Sequence, residues 1–170
     1  MNWERFNYDA LPVTSLPLVD ENGNSVQVGD FRERNNLVLL FSHGLGCPGC
    51  RQLIEQLVIR SRELNEVEAH VFIVQPPGSV EKAILPLPML LLWDQRGSVR
   101  HKYASLLKSP VAQDELLVFI LDRYGAPQAA CSVSHGDDAD LVAEILGHLK
   151  LITIQCPECG APEWPVGLPE

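Results

Sequence analysis

Five consecutive apolar residues, Leu37 to Phe41, stand between the polar DFRERNN segment and Ser42-His43. The run is too short for a helix and lacks polar alternation, so it predicts a strand buried on both faces, at the centre of a sheet. After Gly44 and Gly46 the period changes. In RQLIEQLVIRSREL, residues 51–64, apolar Leu53, Ile54, Leu57, Val58 and Leu64 recur at helical spacing, and Pro48 suits the first turn, where its missing N–H costs no hydrogen bond. Ala69 to Val74 is the next apolar run, cut off by QPPGS. Strand, helix, strand in this order predicts a right-handed crossover joining a parallel pair.

Weaker patterns flank this unit. From Leu16 the chain reads LPLVDENGNSVQV, and Asn22-Gly23-Asn24 between two short apolar stretches predicts an N-terminal β-hairpin, because Asn and Gly tolerate positive φ. The first ten residues show no period and are expected to form a loose arm. Leu90 to Trp93 predicts a short strand, DQRG a turn and Val99 to Leu107 a short helix. Leu116 to Leu121 and Gln128 to Val133 predict a hairpin around Asp122 to Gly125. Leu141, Val142, Ile145, Leu146, Leu149 and Ile152 fall on one face of a final helix that covers the sheet, with Asp137 or Asp138 as its N-cap. The ending CPECGAPEWPVGLPE holds four prolines and two glycines, which predicts an irregular tail. The expected organisation is a single α/β domain over residues 1–170, with a core of about 11–152 and a cysteine-containing tail, 153–170.

Composition narrows the function classes. Charged residues are 21% and apolar ones 46% of the 170 residues, an ordinary globular balance, and a chain of this length buries roughly two-thirds of its unfolded surface. A net charge of −9 with no local cluster of Lys or Arg argues against nucleic acid as a partner. The apolar run Leu85 to Trp93 contains two prolines and falls far short of the about 20 residues needed to span a bilayer. MNWERFNYDALP carries acidic and aromatic residues where a secretory signal has a basic region and an apolar stretch. No membrane association and a cytoplasmic location are the expectations.

Four of the five cysteines form two C-x-x-C pairs, Cys47/Cys50 and Cys156/Cys159, with Cys131 alone. In a reducing compartment this spacing points to redox or metal chemistry. Cys47 and Cys50 fall where a buried strand hands over to a helix. A thiol attacks as its thiolate, and the unpaired N–H groups and positive end of a helix favour that anion; Arg51 adds a positive charge beside the pair. Two cysteines three positions apart in a first helical turn can close a disulfide, so the first can attack and the second can release the product. The other readings are two packed thiols or half of a zinc site.

Cys156-Pro-Glu-Cys159-Gly160 has the form of a zinc knuckle, which supplies two of the four ligands a structural zinc takes. A zinc shared between the tails of a homodimer, a second redox pair and a local clasp are its three readings. His43, four residues before Cys47, is a candidate proton donor or acceptor, or else a solvated or backbone-bonded histidine. His70, His101, His135 and His148 share no metal-ligand spacing. Cys131 is expected in the core, Trp93 and Asp94 either border the active cleft or pack at a boundary, and Glu55, Glu63, Glu66 and Glu68 read as a solvated face.

The stretch LPLVDENGNSVQVGDFRERNNLVLLFSHGLGCPGCRQL resembles the opening of the alkyl hydroperoxide reductase and thiol-specific antioxidant family, the peroxiredoxin-like branch of the thioredoxin-fold superfamily. LPMLLLWDQRGSVRHKYA and LLVFILDRYGAP resemble that family's later segments, so the likeness spans roughly residues 10–150 in order. It implies a thioredoxin-like fold, a central mixed sheet flanked by helices. It also implies Cys47 as attacking thiol, Cys50 as resolving thiol, and a thiol-disulfide oxidoreductase or thiol-dependent peroxidase. The implied partners are a peroxide or disulfide substrate and a thioredoxin- or glutathione-type thiol donor, with no bound cofactor. The alternative is a zinc-stabilised, non-catalytic module on the same scaffold. The last helix of this fold runs away from the active end, which places the Cys156/Cys159 tail at the far pole. Two departures stand out. Classical peroxiredoxins place Pro and Thr or Ser seven and three residues before the attacking cysteine, where this chain has Leu40 and Gly44, or His43 and Cys47 if counted from Cys50. Thioredoxins place a cis-proline just before the strand facing the cysteines, where this chain reads Gln113-Asp114-Glu115-Leu116, leaving Pro88 or Pro110 to lie elsewhere.

Overall fold

A computed structural model describes residues 2–6, 17–134 and 140–154. Strand β4 (Asn36–Phe41) lies inside an eight-stranded mixed sheet. It pairs in parallel with β5 (Ala69–Gln75) and antiparallel with β7 (Leu116–Leu121). β6 (Met89–Trp93) extends the parallel set beyond β5, and β8 (Pro127–Val133) completes a hairpin with β7. The short hairpin of β2 (Leu18–Val19) and β3 (Ser25–Val26) continues the sheet past β6, and β1 (Glu4–Arg5) forms the opposite edge along β8.

All six residues of β4 are buried, because both faces of the strand are covered. Val38 and Leu40 pack with Leu53 and Leu57 of α1 (Pro48–Ile59), Leu64 of α2 (Ser61–Glu66) and Ile145 of α4 (Leu141–Ile154). Leu37, Leu39 and Phe41 face the other way, onto Leu18 and onto Val99 and Tyr103 of α3 (Ser98–Ala104). The unbroken apolar run is thus two alternating faces, each with its own core.

Two expectations need correction. Glu4 and Arg5 are not a loose arm: they pair with Ala130 and Ala129, and the Trp3 ring packs against His148 of α4. An edge strand is held by backbone hydrogen bonds, which leave no apolar period to read. The helix expected through residue 64 bends at Arg60, which takes φ −94° and ψ 12°. Ser61, a residue that favours helix ends over interiors, starts the next segment, the Arg60 guanidinium binds the Glu63 carboxylate, and the bend carries Leu64 and Val67 onto the core. The expected N-caps Asp137 and Asp138, and the tail with Cys156 and Cys159, lie outside the described residues.

The sheet has two distinct poles. Parallel strands β4, β5 and β6 end together at the pole where α1 begins. At the other pole β4 starts, and there the Asn36 side-chain amide lies 3.5 Å from the Thr153 hydroxyl, one residue from the end of α4. The final helix therefore runs away from Cys47, as expected. Pro88, whose preceding peptide bond is cis, sits at this far pole, where its carbonyl accepts from the Val71 N–H at 3.0 Å. No other cis bond occurs among the described residues, and Gln113–Leu116 contains no proline.

Candidate active site

The site is assembled by the turn between β4 and α1. Ser42, buried at the end of β4, donates its hydroxyl to the Val74 carbonyl at 3.1 Å and accepts from the Gly44 N–H at 3.2 Å, fixing the exit of the chain. Gly44 has φ +96°, a conformation that a side chain resists. A Cβ there would also come within 3.1 Å of the Ser79 hydroxyl. The chain then turns back, and the Cys47 N–H donates to the Gly44 carbonyl at 3.2 Å.

Cys47 is the N-cap of α1 and Pro48 its first helical residue; the first helical bond runs from the Arg51 N–H to the Cys47 carbonyl at 3.1 Å. Cys50 is the third helical residue, and its side chain points back under the turn. The two thiols differ in access. Cys47 is half-buried, whereas Cys50 is 1% exposed and belongs to the core beside Leu53 and Leu40. The Cys50 sulfur accepts from the His43 N–H at 3.4 Å and lies 3.6 Å from His43 Nδ1. One donor atom each of His43, Cys47 and Cys50 lies within 4.8 Å of the others, the one such three-donor group among the described residues. The two sulfurs are not bonded to one another in this structure.

Of the residues singled out from sequence, His43, Cys47 and Cys50 come together, and Arg51 stands next to them with an exposed side chain. Trp93 and Asp94 lie at the same pole but serve its loops: the Trp93 indole N–H donates to the Ser79 carbonyl at 3.0 Å, and the buried Asp94 carboxylate accepts from the Arg100 N–H at 2.8 Å. Trp93 does border a cleft of about 500 Å³, with Val19, Asp20, Pro76, Ser79 and Lys82, but neither cysteine lines it. Cys131 is in the core, 1% exposed, and burial pushes its thiol up to about 12. His70 packs against Phe31 and His148 against Trp3, each with its pKa lowered chiefly by burial.

Sequence reading missed Gln75. It is fully buried at the end of β5, its Oε1 accepting from the Leu45 N–H at 3.2 Å and its Nε2 donating to the Glu81 carbonyl at 2.8 Å. One side chain thus ties the loop before Cys47 to the loop after β5. The available signal was a polar residue closing a strand that is otherwise apolar from Val71 to Val74.

Neither a protein-family model nor a curated protein sequence matches the chain. Solved structures do match. Peroxiredoxin Q of Xanthomonas campestris superposes with a TM-score of 0.66 at 19% identity, covering 85% of this chain and 99% of that one. The peroxidoxin BcpB of Mycobacterium tuberculosis gives 0.64 at 18% identity, over 84% of this chain and 96% of its own. A thiol:disulfide interchange protein of the DsbE type from Chlorobium tepidum, described as putative, gives 0.61 at 18% identity over 82% and 96%. The chain therefore has a thioredoxin-like fold of the kind peroxiredoxins share, with its mixed sheet and flanking helices.

Proposed function

We propose that the chain is a thiol-dependent oxidoreductase in which Cys47 and Cys50 cycle between dithiol and disulfide. The observation that carries this reading is the asymmetry of the pair: a half-exposed thiol at the start of α1, and within 4.8 Å of it a buried thiol backed by an imidazole. Cys47, half-buried at the start of α1, is the sulfur a substrate can reach, and a thiol attacks as its thiolate. With a peroxide ROOH, the thiolate takes the terminal oxygen, the O–O bond breaks, and the alkoxide leaves with a proton as ROH. Cys50 then attacks the Cys47 sulfenic acid and water departs. With a disulfide, Cys47 displaces one thiol to form a mixed disulfide, and Cys50 displaces the other. In both cycles His43 takes the Cys50 proton as that sulfur attacks, a role supported by the 3.6 Å between Nδ1 and the Cys50 sulfur. A thioredoxin- or glutathione-type donor returns two electrons. No bound cofactor enters, and the cycle suits a reducing compartment such as the cytoplasm.

The fold neighbours named as peroxiredoxins favour a peroxide, and the DsbE-type neighbour a disulfide. Thiol mass spectrometry after graded peroxide or oxidised glutathione tests the proposal. Wild type should form the Cys47–Cys50 disulfide, and Cys50→Ser should trap Cys47 as a sulfenic acid or a mixed disulfide. Cys47→Ser should abolish turnover with the fold intact; undiminished turnover in that variant would overturn the assignment.

A further inference from the structure

We propose that the reduced site is also a zinc-binding centre, with Cys47 and Cys50 as thiolate ligands and the His43 imidazole as the third. Zinc takes thiolates at about 2.3 Å and imidazole nitrogen at about 2.0–2.1 Å in a tetrahedron, so its sulfur–nitrogen edges are about 3.6 Å and its sulfur–sulfur edge about 3.8 Å. The observed separation of the Cys50 sulfur from His43 Nδ1 is 3.6 Å, already one such edge. All three donor atoms lie within 4.8 Å of one another, so closing the remaining edges takes at most about 1.2 Å of approach by Cys47, the half-exposed member. His43 lies two residues past the end of β4, Cys47 is the N-cap of α1 and Cys50 sits in its first turn, so the β4–α1 turn already brings the three donors together.

The donor set is that of a site with one position open. Three protein ligands leave a fourth corner of the tetrahedron for water. Binding is acid–base and not redox: two thiols lose their protons, the neutral imidazole lends its lone pair, and no electrons move. The same two sulfurs are needed for the disulfide, so zinc would hold the dithiol in its reduced form until the metal is withdrawn. This centre requires only the three side chains, not catalytic turnover.

The test is zinc competition against a chromophoric chelator, with anaerobically reduced full-length protein, paralleled by cobalt(II) absorption. Wild type should take up one tightly bound ion at this site, with sulfur-to-cobalt charge-transfer bands and the intense visible bands of a four-coordinate ion. Cys156→Ser/Cys159→Ser should keep this ion. Cys47→Ser and Cys50→Ser should each lose affinity by more than the roughly 10–100-fold that loss of a supporting outer partner costs a metal site. His43→Asn should lose at least about tenfold and shift the cobalt bands. Far-UV circular dichroism on each variant separates ligand loss from unfolding. A wild type that takes up no zinc, or binding that survives in Cys47→Ser/Cys50→Ser and vanishes with the tail cysteines, overturns the inference. Turnover is read separately, so a failed redox assignment and a failed metal assignment give different results.

Discussion

Replacing Gln75 with Met should both destabilise the fold and loosen the turn that presents Cys47. Gln75 is fully buried and makes two neutral hydrogen bonds, at 3.2 Å from the Leu45 N–H and 2.8 Å to the Glu81 carbonyl. Each such bond contributes about 0.5–1.5 kcal/mol net. The orphaned partners belong to a half-buried and an exposed residue and can turn toward water, so the full penalty for a buried unsatisfied group does not apply. Methionine keeps the length of the side chain and leaves little cavity. The expected loss is therefore the two bonds themselves, about 2 kcal/mol, or roughly 4–8 °C in Tm for a chain of this size. The second effect is local. Without its acceptor, Leu45 is no longer tied to β5, and Cys47 follows two residues later. Iodoacetamide should alkylate Cys47 faster, and closure of the Cys47–Cys50 disulfide should slow. Calorimetry and time-resolved peptide mapping read the two effects; a variant with wild-type Tm and wild-type alkylation at Cys47 would refute the latch.

Three further outcomes are expected. Gly44→Ala forces a side chain to φ +96° against the Ser79 hydroxyl and should cost about 1–3 kcal/mol in urea denaturation, with disulfide closure slowed as for Gln75→Met. Cys131, its thiol pushed up to about 12 by burial, should stay unalkylated at pH 8 while Cys47 reacts, and label only after denaturant is added. Burial raises the Asp122 pKa above 3.8, outweighing the hydrogen bonds from Ala126, Tyr124 and Gln128 that lower it. The folded state therefore holds that proton more tightly than the unfolded one, and the associated stability is fully present below pH 3.8 and lost as pH rises through the folded value. Relative to Asp122→Asn, wild type should gain stability as pH falls across that window; a pH-independent difference between the two would refute it.

What could be read in advance follows from which forces leave a mark on residue type. β4 was legible because burial on both faces demands an unbroken apolar run, and the β7–β8 hairpin because Asp122 to Gly125 carries turn chemistry between two such runs. The Cys47-Pro48 start of α1 was legible because proline marks a first helical turn. Glu4–Arg5 was not, since an edge strand pairs through its backbone, and the bend at Arg60 was not, since Leu57 and Leu64 keep helical spacing whether or not the axis turns. The site itself divides in the same way. C-x-x-C is a local spacing and announces itself, but the closeness of His43 to Cys50 spans seven residues through a turn whose shape rests on Gly44 and Ser42. Gln75 is further still, 30 residues from its donor partner at Leu45, and only the parallel register of β5 on β4 brings it there.

The placement of the imidazole bears on how the proposed cycle and the proposed metal site share one set of atoms. His43 Nδ1 sits beside the buried sulfur, Cys50. The half-buried sulfur of Cys47 is reached by solvent, whereas Cys50 is buried among Leu40 and Leu53 and has the imidazole as the base at hand when it attacks or ligates. One nitrogen therefore meets both needs: it receives the Cys50 proton in disulfide closure, and it becomes the third ligand once that proton has gone to solvent. On these readings the states of the site exclude one another. A disulfide has no thiolate left for zinc, and zinc leaves no thiolate for an oxidant. The fraction of sites open to reaction is then set by competition between two solutes for the same deprotonated pair, with acidity opposing metal binding through two protons.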